Sequence, residues 1–102
     1  MCLKLSNNLQ RYLSRQACNA IFYLQTRDGL AHGDIKPDNI VVTDDYKLAL
    51  IDLGYSENYL ALVKGKTGTE NYRPKEVEAN LPYRLAHADI YSLAVTLLVI
   101  MI

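Results

Sequence analysis

The chain has 102 residues, half of them apolar, and its 11 basic and 11 acidic side chains cancel. That length allows one domain at most. Scattered charge with no net sign excludes a nucleic-acid surface as the main function, and the normal apolar content excludes disorder.

Met1 to Ser6 lacks the apolar run and small-residue cleavage site of a secretory signal. Cys2 and Cys18 are too few for a disulfide framework and lack metal-ligand spacing. A reduced, intracellular protein of the cytoplasm is therefore expected. Leu9, Leu13, Ala17, Ala20, Ile21 and Leu24 recur at three- and four-residue steps and predict an amphipathic helix. Ser6, Asn7 or Asn8 would cap it, Asp28-Gly29 would end it, and Gln10, Arg11, Arg15, Gln16 and Asn19 would face water. Periodicity stops between Leu30 and Asn39, where Gly33, Pro37 and several charged residues crowd together. Ile40–Thr43 and Lys47–Ile51 then predict two strands joined by a tight turn over Asp44, Asp45 and Tyr46.

Residues 52–80 carry no persistent period and read as a long irregular, functional stretch. A second helix is predicted to open at Asp89, where a carboxylate is favoured. Its residues Leu93, Val95, Leu97, Leu98, Val99, Ile100, Met101 and Ile102 surround the axis, the pattern of a helix buried in a larger protein. The apolar run Ile90–Ile102 is 13 residues, short of the roughly 20 that a membrane span requires, so no membrane association is expected.

Three polar clusters carry chemistry: His32-Gly-Asp34-Ile-Lys36-Pro-Asp-Asn39, Asp52-Leu-Gly54, and Gly68-Thr-Glu-Asn-Tyr72-Arg-Pro-Lys-Glu76. Asn39 and Asp52 flank the predicted hairpin and can converge at its open end. Their oxygens suit Mg²⁺, which takes one or two protein ligands together with substrate phosphates. A further carboxylate there could accept a hydroxyl proton, and a lysine could neutralise a transferring phosphoryl group. Gly65-Lys66-Thr67 has the tail of a nucleotide-binding P-loop, but Leu60 stands where its first glycine is required.

The same clusters resemble the eukaryotic protein kinase family. HGDIKPDN is similar to the catalytic loop usually written H-R-D-L-K-P-E-N, and Asp52-Leu53-Gly54 to the magnesium-binding D-F-G. GTENYRPKE resembles the close of the activation segment, and Asp89-Ile-Tyr-Ser-Leu-Ala94 the start of the buried central helix of the large lobe. The Lys36-Pro37 pair points to the serine/threonine branch.

The resemblance implies an α+β fold, a mainly helical partial kinase C-lobe over residues 1–102 with a small β-hairpin carrying the catalytic and magnesium loops. It implies ATP and Mg²⁺ as cofactors and a protein substrate with a Ser or Thr hydroxyl. Asp34 would accept the substrate proton and Lys36 would contact the γ-phosphate. Asn39 and Asp52 would hold magnesium, and Thr69 would bond back towards Asp34 and Lys36. Glu76 would pair with an arginine of a later helix, Asp89 would brace the catalytic-loop backbone, and His32 would serve packing.

Gly33 departs from the family, which usually has an arginine there that pairs with a phosphorylated activation loop. Leu53, Pro74-Lys75, Tyr91 and Ala94 are milder departures. The resemblance runs over residues 9–102 without a small lobe and its phosphate loop, and without the last large-lobe helices. Three readings follow: a segment of an active serine/threonine kinase, inactive in isolation; a non-catalytic half-kinase that binds a protein through its apolar C-terminal helix; or a chain with no stable fold. Exposure of Leu93–Ile102 would favour aggregation or a covering protein partner.

Overall fold

The computed structural model describes residues 7–65 and 68–101, the side chains of Ile100 and Met101 excepted. Expectations that rest on Cys2, Ser6, Lys66, Thr67 and Ile102, and on those two side chains, fall outside the described residues.

Helix α1 spans Asn7–Thr26 and buries Leu13, Ala17, Ile21 and Leu24, the stripe that the periodicity marks. Its end is built as the sequence suggests. The amides of Arg27 and Asp28 both reach the Tyr23 carbonyl, and Gly29 follows at φ 67°.

Strand β1 is Leu30–Ala31, and a 3₁₀ turn over Pro37–Asn39 leads into β2, Ile40–Val42. Strand β3, Leu48–Leu50, returns antiparallel to β2 with Ile40 opposite Leu50 and Val42 opposite Leu48. The Thr43 amide bonds the Lys47 carbonyl across the turn, and Tyr46 takes the left-handed conformation there. Thr43 also donates its hydroxyl to Asp45, which holds that exposed carboxyl below its ordinary range.

The stretch 52–80 is less irregular than its sequence implies. It contains β4 (Glu57–Asn58), β5 (Leu62–Val63) and the single helical turn α2 (Lys75–Glu78). Two-residue bridges and one turn are too short to write a hydrophobic period into the sequence. Strand β4 pairs with β1, and β5 pairs with β6 (Tyr83–Arg84).

Helix α3 runs Leu85–Met101, beginning four residues before the predicted start at Asp89. Strand β6 leads directly into it, and the opening residues Leu85 and Ala88 are buried rather than capped by polar groups. Asp89 serves the loop after β1 instead, accepting the amides of His32 and Gly33.

Two buried clusters hold these elements together. Ala17, Ile21, Ile35 and Leu93 pack between α1, the loop after β1 and α3, with Leu48, Leu50 and Leu97 at the edge. Ala31, Val77, Tyr83, Leu85 and Ala88 form the second, which joins α2 and β6 to the start of α3. Leu93 is buried and Val95 and Leu97 are half-buried, while Ile90, Leu98 and Val99 are exposed. Among the described residues no helix is long and apolar enough to cross a membrane.

Candidate functional site

Within the loop from His32 to Asn39, Ile35 is buried in the core at 1% exposure, and Asp34 and Lys36 on either side of it come together at one site. Beneath the loop lies the carboxylate of Asp89, whose two oxygens accept the backbone N–H groups of His32 at 2.6 Å and Gly33 at 2.9 Å. Burial pushes the Asp89 carboxyl above its ordinary value, and the two amide bonds only partly oppose this.

His32 is fully buried, and its ring bonds backbone on both sides. Nδ1 accepts the Asp34 N–H at 3.0 Å, so the ring proton sits on Nε2, which donates to the Ile51 carbonyl at 2.8 Å. Packing is thus only part of its role. It also links the loop from His32 to Asn39 to the end of the hairpin.

Asp34 is the hub of the site and is itself 7% exposed. The Thr69 hydroxyl donates to Asp34 Oδ1 at 2.7 Å, from 35 residues further along the chain. Asn39 Nδ2 donates to the Asp34 carbonyl at 2.8 Å and to Asp34 Oδ2 at 3.2 Å. Lys36 Nζ lies 3.9 Å from the same Oδ2. Asp34, Lys36, Asn39 and Thr69 therefore form one connected group.

Asp52 stands at its margin. The Ile51 amide bonds the Asn39 carbonyl at 3.0 Å, which brings the two loops side by side at the open end of the hairpin. The Asp52 side chain is exposed, with φ at 60°, and Oδ1 accepts only a long bond of 3.3 Å from the Gly54 amide. Among the described residues no hydrogen bond or ion pair joins Asp52 to Asn39, Asp34 or Lys36.

The donor set fits a hard cation that keeps other ligands. Asn39 commits its amide nitrogen to Asp34, leaving Oδ1 to receive a cation, and Asp52 offers a carboxylate held by one weak bond. No group of three or more His, Cys, Asp or Glu side chains suited to a metal occurs among the described residues.

Glu76 is exposed and makes no ion pair among the described residues. The pair nearby is Arg73 with Glu78. Glu76 instead lines a cleft of about 480 Å³ with Pro74, Tyr83, His87 and Tyr91. Sequence reasoning passed over Ser92, which donates its hydroxyl to the Tyr72 carbonyl and ties α3 to the segment after Thr69. Its only signal is a polar residue on the buried stripe of an apolar helix.

A buried carboxylate braced by an amide and a hydroxyl, with a lysine beside it and the oxygens of Asn39 and Asp52 at the open end of the hairpin, is a donor set suited to a hard cation and a phosphate. The family model for the protein kinase domain matches residues 3–102, and the chain belongs to that family. It is 39% identical over 98 residues to a mouse PAS domain-containing serine/threonine-protein kinase, covering 91% of this chain and 7% of that protein. It is 34% identical over 99 residues to the serine/threonine-protein kinase chk-2 of Caenorhabditis elegans, covering 93% of this chain and 21% of that protein. The CBL-interacting serine/threonine-protein kinase 8 of Arabidopsis thaliana is 33% identical over 101 residues, 96% of this chain and 22% of its own length. The chain thus spans less than a quarter of each of these relatives, and with its α+β fold corresponds to part of a kinase large lobe.

Proposed function

We propose that this segment carries the catalytic and magnesium loops of an ATP-dependent serine/threonine protein kinase. The observation that supports this most is the Asp34 carboxylate, nearly buried and held at once by Thr69 and Asn39 with Lys36 beside it. In this reading Asp34 accepts the proton of a Ser or Thr hydroxyl on a protein substrate, and Thr69 and Asn39 fix its orientation. Lys36 holds negative charge at the transferring group. Asn39 and Asp52 hold Mg²⁺, which when bound supplies charge neutralisation on the ATP phosphates.

Asp34→Asn, made in the full protein that carries this segment, tests the reading by phosphate transfer from ATP to Ser/Thr peptides. Turnover is expected to fall by about 10² to 10⁴, the usual loss for a general base. An unchanged rate would remove Asp34 from the role.

A second reading, a non-catalytic half-kinase that binds another protein, is favoured by the exposed apolar residues Ile90, Leu98 and Val99 of α3. The two are separated by the same assay on the unsubstituted protein. Transfer that Asp34→Asn abolishes supports the first, and no transfer with the fold intact supports the second.

A further inference from the structure

Of the five glycines, Gly33 has the closest neighbours to an added Cβ. Its φ is 90°, and a Cβ built there would lie 2.8 Å from the Tyr55 carbonyl oxygen and 2.9 Å from the Tyr55 Cβ. These obstacles are backbone and near-backbone atoms, not the flexible end of a side chain, so they cannot swing aside. The approach follows from the topology. Strand β1 sets Leu30 opposite Asn58 and Ala31 opposite Glu57, and the same register carried two residues further sets Gly33 opposite Tyr55. On its other side the Gly33 carbonyl lies 3.0 Å from where a Cβ of Gly68 would be, with Gly68 at φ 76°. The Gly33 amide is bonded to Asp89.

The loop containing Asp52 is consequently fastened at both ends. Before it, Ile51 bonds Asn39 through its amide and His32 through its carbonyl. After it, Tyr55 rests on Gly33. Between the fastenings Asp52 takes a left-handed conformation, which aspartate adopts more readily than most residues other than glycine.

We infer that Gly33 is a positioning residue for Asp52: its bare Cα is the seat for the chain leaving Asp52-Leu53-Gly54. The inference rests on the reading of Asn39 and Asp52 as a cation-binding pair. It has a consequence opposite to simple restoration of the family pattern. Gly33→Arg does not improve the site; it lifts the loop off its seat.

The test uses the 102-residue chain, isotope-labelled, with amide hydrogen exchange at Ser56 and Glu57 and Mn²⁺ line broadening at Asn39 and Asp52. Gly29→Ala is the control, because Gly29 has φ 67° with nothing within 4 Å of its added Cβ and so isolates backbone strain from close approach. In Gly33→Ala, exchange at Ser56 and Glu57 is expected to rise at least about tenfold over the control, with amides of α1 and α3 unchanged. Broadening at Asp52 is expected to weaken while that at Asn39 persists. If Gly33→Ala does not fold, Gly33→Asn carries the comparison, since asparagine accepts positive φ more readily but still brings a Cβ.

Exchange equal to the Gly29→Ala control, or faster exchange with Asp52 broadening unaltered, would overturn the inference. If Mn²⁺ broadens neither residue in the unsubstituted chain, the cation-pair reading fails, and the exchange comparison alone decides whether Gly33 seats the loop.

Discussion

One carboxylate, Asp89, joins the central helix to the loop that bears Asp34. Its two oxygens satisfy two buried backbone N–H groups, of His32 and Gly33, that have no other route to an acceptor. Asp89→Asn keeps the shape but offers one oxygen where two are used. It is expected to cost about 1–3 kcal/mol in chemical unfolding, the desolvation of one orphaned amide. The pH dependence has a definite sign. Burial raises the folded-state pKa above the ordinary 3.8, so the folded chain holds the proton more tightly than the unfolded chain does. The stabilising contribution of that proton is fully present below the unfolded value and is lost as pH rises through the folded one. Unfolding curves of the parent and Asp89→Asn at pH 4 and pH 7 cancel the other groups. The advantage of the parent is expected to be larger at pH 4 than at pH 7. The reverse order would mean that the two amide bonds outweigh desolvation.

Helix α3 shows how an element departs from its sequence pattern. Leu85, Ala88, Asp89, Ser92, Leu93 and Thr96 form one buried stripe, so half of the face turned inward is polar. Asp89 and Ser92 have partners in the His32–Asn39 loop and at Tyr72, but the Thr96 hydroxyl is fully buried without a hydrogen-bond partner among the described residues. Thr96→Val, nearly the same shape, is expected to raise unfolding free energy by about 1–2 kcal/mol. A loss of stability would show that the hydroxyl is satisfied. The early start of α3 was not legible because Leu85 and Ala88 open it without a cap, while the capping-type residue, Asp89, is spent on another loop. By contrast α1 and the β2–β3 hairpin could be read directly, because their burial repeats locally with the period of the element. Within the candidate site, Asp34, Lys36 and Asn39 were legible as a contiguous polar cluster. Thr69 came through family resemblance, since no local period links residues 35 apart. The seat that Gly33 gives Tyr55 is a register effect between β1 and β4, each two residues long, and so leaves no pattern to read.

At the scale of the molecule, the side of α3 opposite its buried stripe is apolar and uncovered. Ile90, Ala94 and Leu98 follow at four-residue steps along that side, with Tyr91 next to them, and Ile90 and Leu98 are 55% and 60% exposed. Neither side chain supports the fold of this chain by burial, so Ile90→Glu and Leu98→Glu are each expected to change unfolding free energy by no more than about 0.5 kcal/mol. The same face presents adjacent apolar groups to water, the kind of surface that drives association. The double substitution is therefore expected to weaken the concentration dependence of sedimentation while leaving the helical far-ultraviolet signal in place. Loss of the fold instead would mean that this side of α3 is packed. Unaltered association with the fold intact would move the adhesive surface elsewhere, to the exposed Leu60 and to Leu62 of β5. Because the Asp34 network draws on the opposite side of the helix through Asp89, its bonds to His32 and Gly33 are expected to survive the double substitution. Cation binding at Asn39 and Asp52 would then be unchanged in the less associated chain, which separates what this face does for assembly from what the loops do for chemistry.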